Sequence, residues 1–143
     1  MTMKYKIEIE TNPKTETIQQ IRNSLIAHNR ENSSIADGKN LAIKAVSDLG
    51  MIVGGVVAWQ WGGCIEIEYL WVSENVRGEK LGTKLLKQLE YLLSEHSSKV
   101  IITTTFSFQA PEFYLKNGFE IIDEVAGYPH NVKKYFLKKA VNR

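Results

Sequence analysis

A strand that runs through a turn into a leucine-rich helix constrains this 143-residue chain more than any other stretch. Residues 66–72 are rich in β-branched and aromatic side chains and lack Gly and Pro, which is typical of a strand. Residues 73–78 are polar and predict a turn. A helix is predicted from Leu81 onward, because leucines recur at helical spacing at Leu81, Leu85, Leu89 and Leu92 or Leu93.

The start of this helix lacks the residue type that usually caps it. No Ser, Thr, Asp or Asn stands directly before Leu81, and Gly78 has no side chain that could accept a hydrogen bond. The first backbone N–H groups are therefore available to an anion, which the positive end of the helix dipole also favours. Arg77, Lys80 and Lys84 add positive charge, so the sequence predicts a phosphate or pyrophosphate site at this turn.

The turn does not fit two familiar phosphate-binding motifs. Three residues separate Gly78 from Gly82, whereas a P-loop needs four, and the pattern G-x-G-x-x-G is also missing. Instead, Leu70-Trp71-Val72 and Arg77-Gly78-Glu79-Lys80-Leu81-Gly82 resemble the acyl-CoA signature of the GNAT superfamily of N-acyltransferases. In that signature a Leu-x-Val strand leads into Arg-Gly-x-Gly-Ile/Leu-Gly. Lys80 stands where the signature has its middle glycine.

A second segment carries the same resemblance. Residues 110–119 look like the family's Ala-x-x-x-Tyr-x-x-x-Gly-Phe pattern, with Tyr114 and Gly118 in register. Two motifs in the right order are more specific than either alone, and the resemblance extends from about Leu41 to Leu137. It implies a GNAT-like α/β (α+β) fold. In this fold a central mixed, mostly antiparallel sheet is flanked by helices, and acyl-CoA binds where two parallel strands splay.

The pattern along the chain predicts the order β-α-β-β-β-α-β-α-β-β in a single domain, residues 1–143. The run 51–60 is apolar on both faces and predicts a central strand covered on both sides. The run 100–105 returns after a helix and is expected to lie parallel to the motif strand. The other predicted strands are 5–10, 41–47, 119–125 and 133–138, and the other helices are 15–28 and 110–116.

Composition limits the classes of partner. A formal net charge of +2 is too small to indicate nucleic acid or an anionic membrane as the main partner. No run is apolar enough for a membrane span, and residues 1–6 do not resemble a signal peptide. The single cysteine, Cys64, fits a reducing compartment, so a cytoplasmic location is expected. The sequence leaves a homodimer open and indicates no metal, since the three histidines form no ligand pattern.

The resemblance implies an N-acetyltransferase that transfers acetyl from acetyl-CoA to a primary amine by direct attack. An amine with a pKa near ~10.4 is neutral in only roughly one of a few thousand molecules at pH 7, so a general base is needed. Glu66 and Glu68 are the candidates, and alternation puts both on one face. A bulge before Leu70 would change which of them faces the acceptor, although Glu66 aligns slightly better with the family's glutamate. The resemblance places Tyr114 beside the sulfur as general acid.

The residues expected to contact acetyl-CoA lie in three groups. Backbone N–H groups near 70–72 are expected to polarise the thioester carbonyl and to pair with the pantetheine amides like an added strand. The turn is expected to bind phosphate. Ser107 could contact the cofactor or cap the following segment, and the sequence favours neither role over the other. The full set is Leu70, Trp71, Val72, Arg77, Gly78, Glu79, Lys80, Leu81, Gly82, Thr83 and Ser107.

The acceptor expected is a small-molecule or peptide amine, and the sequence does not identify it further. An alternative function is an acyl-CoA-binding regulatory or interaction module without turnover. Such a module would carry the turn at 77–82 but would not need Tyr114 or a base, so their presence favours the enzyme. Lys133 and Lys134 are expected to be solvated strand ends.

Overall fold

The computed structural model describes residues 2–97 and 99–141 and divides the chain into two compact units, one up to Asp37 and one from Gly38 onward. The first unit contains α1 (Thr15–Asn32), which begins as predicted and extends beyond the predicted end near His28. The strand predicted at 5–10 is wrong, because these residues form neither helix nor strand. Alternating apolar residues become a strand only when a neighbouring backbone completes the hydrogen bonds, and no described strand pairs with this segment.

In its described residues the second unit forms a six-stranded sheet with two α-helices. The strand order β1-β2-β3-β4-β6-β5 has a single parallel pair, β3 with β4, and the other four pairs are antiparallel. The predicted crossover through the motif helix is therefore confirmed. The elements are β1 (Lys39–Val46), β2 (Ile52–Trp61), β3 (Cys64–Val72), α2 (Leu81–Leu92), β4 (Val100–Phe106), α3 (Pro111–Lys116), β5 (Glu120–Val125) and β6 (Lys134–Ala140).

The core of this unit lies on one face of the sheet. Leucines from α2 pack with Ile65, Ile101 and Leu137 from the strands, and Tyr114 joins them from α3. The sequence left open whether Leu92 or Leu93 continues the row of leucines that begins at Leu81. Leu93 is fully buried and Leu92 is 44% exposed, so Leu93 is the one that packs in the core. No helix in the described ranges is long and apolar enough to cross a membrane.

The prediction about β2 is confirmed in part. The strand lies between β1 and β3, so its central place in the sheet is confirmed. Its burial alternates, however: Val56 and Ala58 are buried, whereas Val57 between them is 39% exposed. Within this unit the helices and their leucines pack against only one face of the strand, so cover on the second face stays a prediction.

Candidate active site

A cleft opens in the sheet where the parallel pair β3 and β4 separates. Ladder pairing between them covers only Cys64↔Val100, Ile65↔Ile101 and Glu66↔Ile102, although β3 continues to Val72 and β4 to Phe106. Beyond Glu66, the edge of β3 that faces β4 has no strand partner. The Thr103 hydroxyl donates a long hydrogen bond of 3.5 Å to the Ile67 carbonyl across the opening.

Two cavities meet at this splay. The first, of about 380 Å³, lies between β3, β4 and the segment around α3, within the size range of small-molecule sites. The second, of about 320 Å³, is lined by β3, β4, β5 and β6. Ile67, Glu68, Thr103 and Thr104 line both, so the two cavities adjoin at the point where the strands part.

Tyr114 lines the first cavity from α3. Pro111 stands in the first turn of this helix, and Gly118 follows its end at φ +89°, a conformation that suits glycine. The Tyr114 ring is only 6% exposed and packs edge-on against Phe113 and Phe119, each with a centroid separation of 5.2 Å. Burial raises the pKa of the Tyr114 phenol, and a hydrogen bond with the Thr103 side chain partly offsets that rise.

The two candidate bases occupy different positions on β3. Glu66 is the last β3 residue that pairs with β4, opposite Ile102. Glu68 lies in a β-bulge, because Val57 pairs with Tyr69 while the adjacent Ala58 pairs with Ile67. Both carboxylates are exposed, and Glu68 lines both cavities whereas Glu66 lines only the second. The bulge considered before Leu70 is therefore present, and Glu68 within it lies at the splay.

The turn between β3 and α2 has the open helix start that the sequence predicts. Lys80 occupies the N-cap position and its side chain makes no capping hydrogen bond. Gly78 has φ +88° and Lys80 has φ +58°, so both adopt the left-handed backbone conformation. For lysine this conformation costs roughly 1–2 kcal/mol, which glycine at the same place avoids.

Gly82 has a structural reason to be glycine. A Cβ placed on it would lie 2.8 Å from the ring of Phe113, closer than carbon atoms can approach. The missing side chain lets the first turn of α2 pack directly against α3. Because Gly82 has no side chain, a phosphate can also approach its backbone N–H closely.

The remaining predicted cofactor residues lie on β3, around this turn and after β4. Leu70, Trp71 and Val72 continue β3 past the splay, and the first two line the larger cavity. Arg77 is exposed and lies 3.8 Å from Glu74, a surface pair that leaves its charge largely available. Glu79, Leu81 and Thr83 border the turn, with Glu79 exposed. Ser107 lies elsewhere, at the end of β4, where its hydroxyl accepts a hydrogen bond of 3.1 Å from the Lys133 N–H.

Sequence reasoning missed two residues of the cleft. Thr103 lines both cavities and bonds to the Ile67 carbonyl, but the sequence of an apolar strand does not show which face its threonine occupies. Lys134, expected to be a solvated strand end, instead lines the larger cavity. Lys134 lies two residues before Phe136 on β6, and alternate residues of a strand share a face. This spacing could have predicted that the two side chains lie together. Across residues 2–97 and 99–141, no group of three His, Cys, Asp or Glu side chains could hold a metal.

Comparison with known proteins decides the family. The family model described as an Acetyltransferase (GNAT) domain matches residues 39–121. The chain belongs to the GNAT acetyltransferase family. The region that matches the family model runs from β1 to the start of β5. It therefore includes the splay of β3 and β4, the turn before α2, and α3. The protein is therefore an acyltransferase enzyme, and the family predicted from the two motifs is confirmed.

Three relatives illustrate the GNAT likeness. Blasticidin-S acetyltransferase of Streptomyces morookaense is 30% identical over 102 residues, 68% of this chain and 73% of that protein. An acetyltransferase structure from Bacillus cereus has a TM-score of 0.74 at 28% identity, over 94% of this chain and 98% of that one. A structure assigned as a streptothricin acetyltransferase, from Bacillus anthracis with acetyl coenzyme A, has a TM-score of 0.62 at 21% identity, over 78% and 68% of the two chains. The predicted GNAT-like fold is confirmed.

Replacing Lys80 with glycine should stabilise this GNAT domain by about 0.5–1 kcal/mol, because relief of the left-handed lysine exceeds the entropy that glycine adds to the unfolded chain. Lys87→Gly is the matched control, since Lys87 is an exposed lysine inside α2, where glycine costs about 1 kcal/mol. Urea unfolding of both variants measures the difference. Equal destabilisation by the two changes would contradict the assigned strain.

Proposed function

We propose that this protein is an N-acetyltransferase that uses acetyl-CoA and transfers the acetyl group to a primary amine by direct attack. The observation that carries the proposal is the splay of β3 and β4, with Tyr114 lining the cavity there from α3 and Glu68 from β3. The structural relative with bound acetyl coenzyme A supports the choice of donor. The single domain, the cytoplasmic location and a homodimer stay predictions.

The chain offers acetyl-CoA two kinds of contact. Backbone N–H groups of the α2 start, from Gly78 to Thr83, would bind the pyrophosphate, because no side chain caps them and the helix dipole favours an anion. The unpaired edge of β3 between Ile67 and Val72 would accept the pantetheine arm as an added strand. These residues fit the group, and the bound thioester would supply an activated acetyl carbon at the splay.

Glu68 would accept the proton that the acceptor amine must lose, directly or through water. A carboxylate at this position also attracts a cationic amine before it is deprotonated. N–H groups on the same stretch of β3 would stabilise negative charge on the carbonyl oxygen, as an oxyanion site does. Tyr114 would donate its proton to the sulfur as the carbon–sulfur bond breaks. A tyrosine phenol is protonated at neutral pH, and burial raises the pKa of Tyr114 further above neutrality.

Calorimetry with two donors tests the assigned cofactor site. We expect acetyl-CoA to bind roughly a hundredfold or more tighter than S-acetylpantetheine, because the latter lacks every phosphate that the α2 start and Arg77 would hold. A thiol-release assay with a panel of amines then tests turnover. Equal affinity for the two donors would contradict the phosphate site, and binding without thiol release from any amine would favour the non-catalytic module.

A further inference from the structure

One face of the sheet near the splay carries opposite charges on separate strands. In the antiparallel pair of β4 and β6, Phe106 pairs with Lys134 and Thr104 pairs with Phe136. Directly paired residues share a face, so these four side chains lie together. The buried Leu137 alternates to the other face, toward the core. Glu68 and Thr104 line both cavities, which connects this face of β6 to the bulge of β3.

Lys134 is a cation without a carboxylate partner in the described part of the chain. Its Nζ lies 5.8 Å from the ring centroid of Phe106 and 5.5 Å from that of Phe136. These two cation–π contacts hold the ammonium group over the aromatic rings without neutralising it. Three other lysines on or beside β6 are ion-paired instead, Lys133 with Glu124, Lys138 with Glu120 and Lys139 with Glu90.

Lys134 forms no ion pair with the β3 carboxylates in the described part of the chain. β4 lies between β3 and β6, and adjacent strands are about 4.7–4.9 Å apart even without a splay. The side chains therefore stand on opposite walls of the same cleft, with the anionic wall at Glu68 and the cationic wall at Lys134. A ligand with one positive and one negative end would complement both walls at once, whereas a ligand with two positive ends would be repelled at Lys134.

We propose that Lys134 binds a carboxylate of the acceptor, so the acceptor class is an amine that carries a carboxylate several bonds from the reacting nitrogen. The inference rests on the proposed acetyl transfer. The amine end lies toward Glu68, where the base is needed, and the carboxylate end lies toward the Lys134 ammonium. Lys134 is thus a specificity-determining residue, which selects and orients the acceptor without taking part in proton transfer.

Three acceptors of equal chain length test this inference. Hexylamine, ε-aminocaproate and hexamethylenediamine differ only in whether the far end is neutral, anionic or cationic. We expect kcat/KM to be highest for ε-aminocaproate, by roughly ten- to a hundredfold over hexylamine, and lowest for the diamine. In Lys134→Met most of the apolar stem remains but the ammonium group and its cation–π contacts are lost, and the preference for the carboxylate should disappear. Lys134→Arg should retain it, and Lys133→Met, which removes a neighbouring ion-paired lysine, should leave all three values unchanged.

Each other outcome has a defined meaning. Equal use of the three amines by the wild type, or an equal loss for all three in Lys134→Met, would overturn the role of Lys134. Absence of turnover with ε-aminocaproate, while another amine of the panel releases thiol, would overturn this acceptor class. Failure of acetyl-CoA to bind, or absence of thiol release with every amine of the panel, would overturn the proposed function instead, so the two failures are distinguishable.

Discussion

Replacing Tyr114 with phenylalanine should lower kcat by roughly 10²–10⁴, the usual effect of losing a positioned general acid. Acetyl-CoA affinity should change little, because the ring that packs against Phe113 and Phe119 remains. The free energy of unfolding should change by no more than about 1 kcal/mol, because only the phenol hydroxyl is lost. Steady-state kinetics, calorimetry and urea unfolding of the same variant separate these effects.

Tyr91→Phe is the matched control, since Tyr91 is 64% exposed on α2 and does not line the cleft.

Unfolding at alkaline pH adds an independent check on Tyr114. Because burial raises the pKa of Tyr114 above its usual value near 10, the folded protein retains a proton that the unfolded chain releases. Wild-type stability should therefore fall relative to Tyr114→Phe as pH rises above about 10, with no such difference developing below it. Wild-type turnover in Tyr114→Phe would remove Tyr114 from the mechanism.

Replacing Glu68 with glutamine should also lower kcat/KM at neutral pH by roughly 10²–10⁴, because the amide keeps the shape of the side chain but cannot accept a proton. Activity of Glu68→Gln should recover as pH rises, by about tenfold per pH unit below the amine pKa near ~10.4, since the acceptor then loses its proton to solvent. Stability should stay within about 0.5 kcal/mol of wild type, as is usual for an exposed side chain. A pH–rate profile and urea unfolding measure both.

Glu66→Gln is the control that distinguishes the two carboxylates. Glu66 lies on the same strand but within the paired part of β3, outside the larger cavity, so its loss should cost less than about tenfold in kcat/KM. If Glu66→Gln collapses activity and Glu68→Gln does not, the base is Glu66, as the family alignment favours. If neither variant loses activity, neither Glu66 nor Glu68 by itself is the base.

Local signals predicted the elements that hold the site. The glycine-flanked turn and the leucine stripe placed α2, and Pro111 and Gly118 placed the ends of α3, because backbone preferences act over a few residues. The crossover from β3 to β4 also followed from the sequence, since a strand that returns after a helix pairs in parallel. By contrast, the strand predicted at 5–10 did not form, because pairing requires a partner that the segment itself does not supply.

The sequence by itself determined the family, the order of α2, β4 and α3, and the small set of residues from which a base and an acid can come. Only the tertiary structure decided which of them meet. The bulge in β3 depends on register with β2, and the ladder between β3 and β4 ends at Glu66, so long-range pairing distinguishes Glu68 at the splay from Glu66 in the ladder. Lys134 likewise reaches the cleft because β6 pairs with β4, far away in the chain. Periodicity assigns a side chain to a face, but the distance between faces on different strands arises only from long-range pairing.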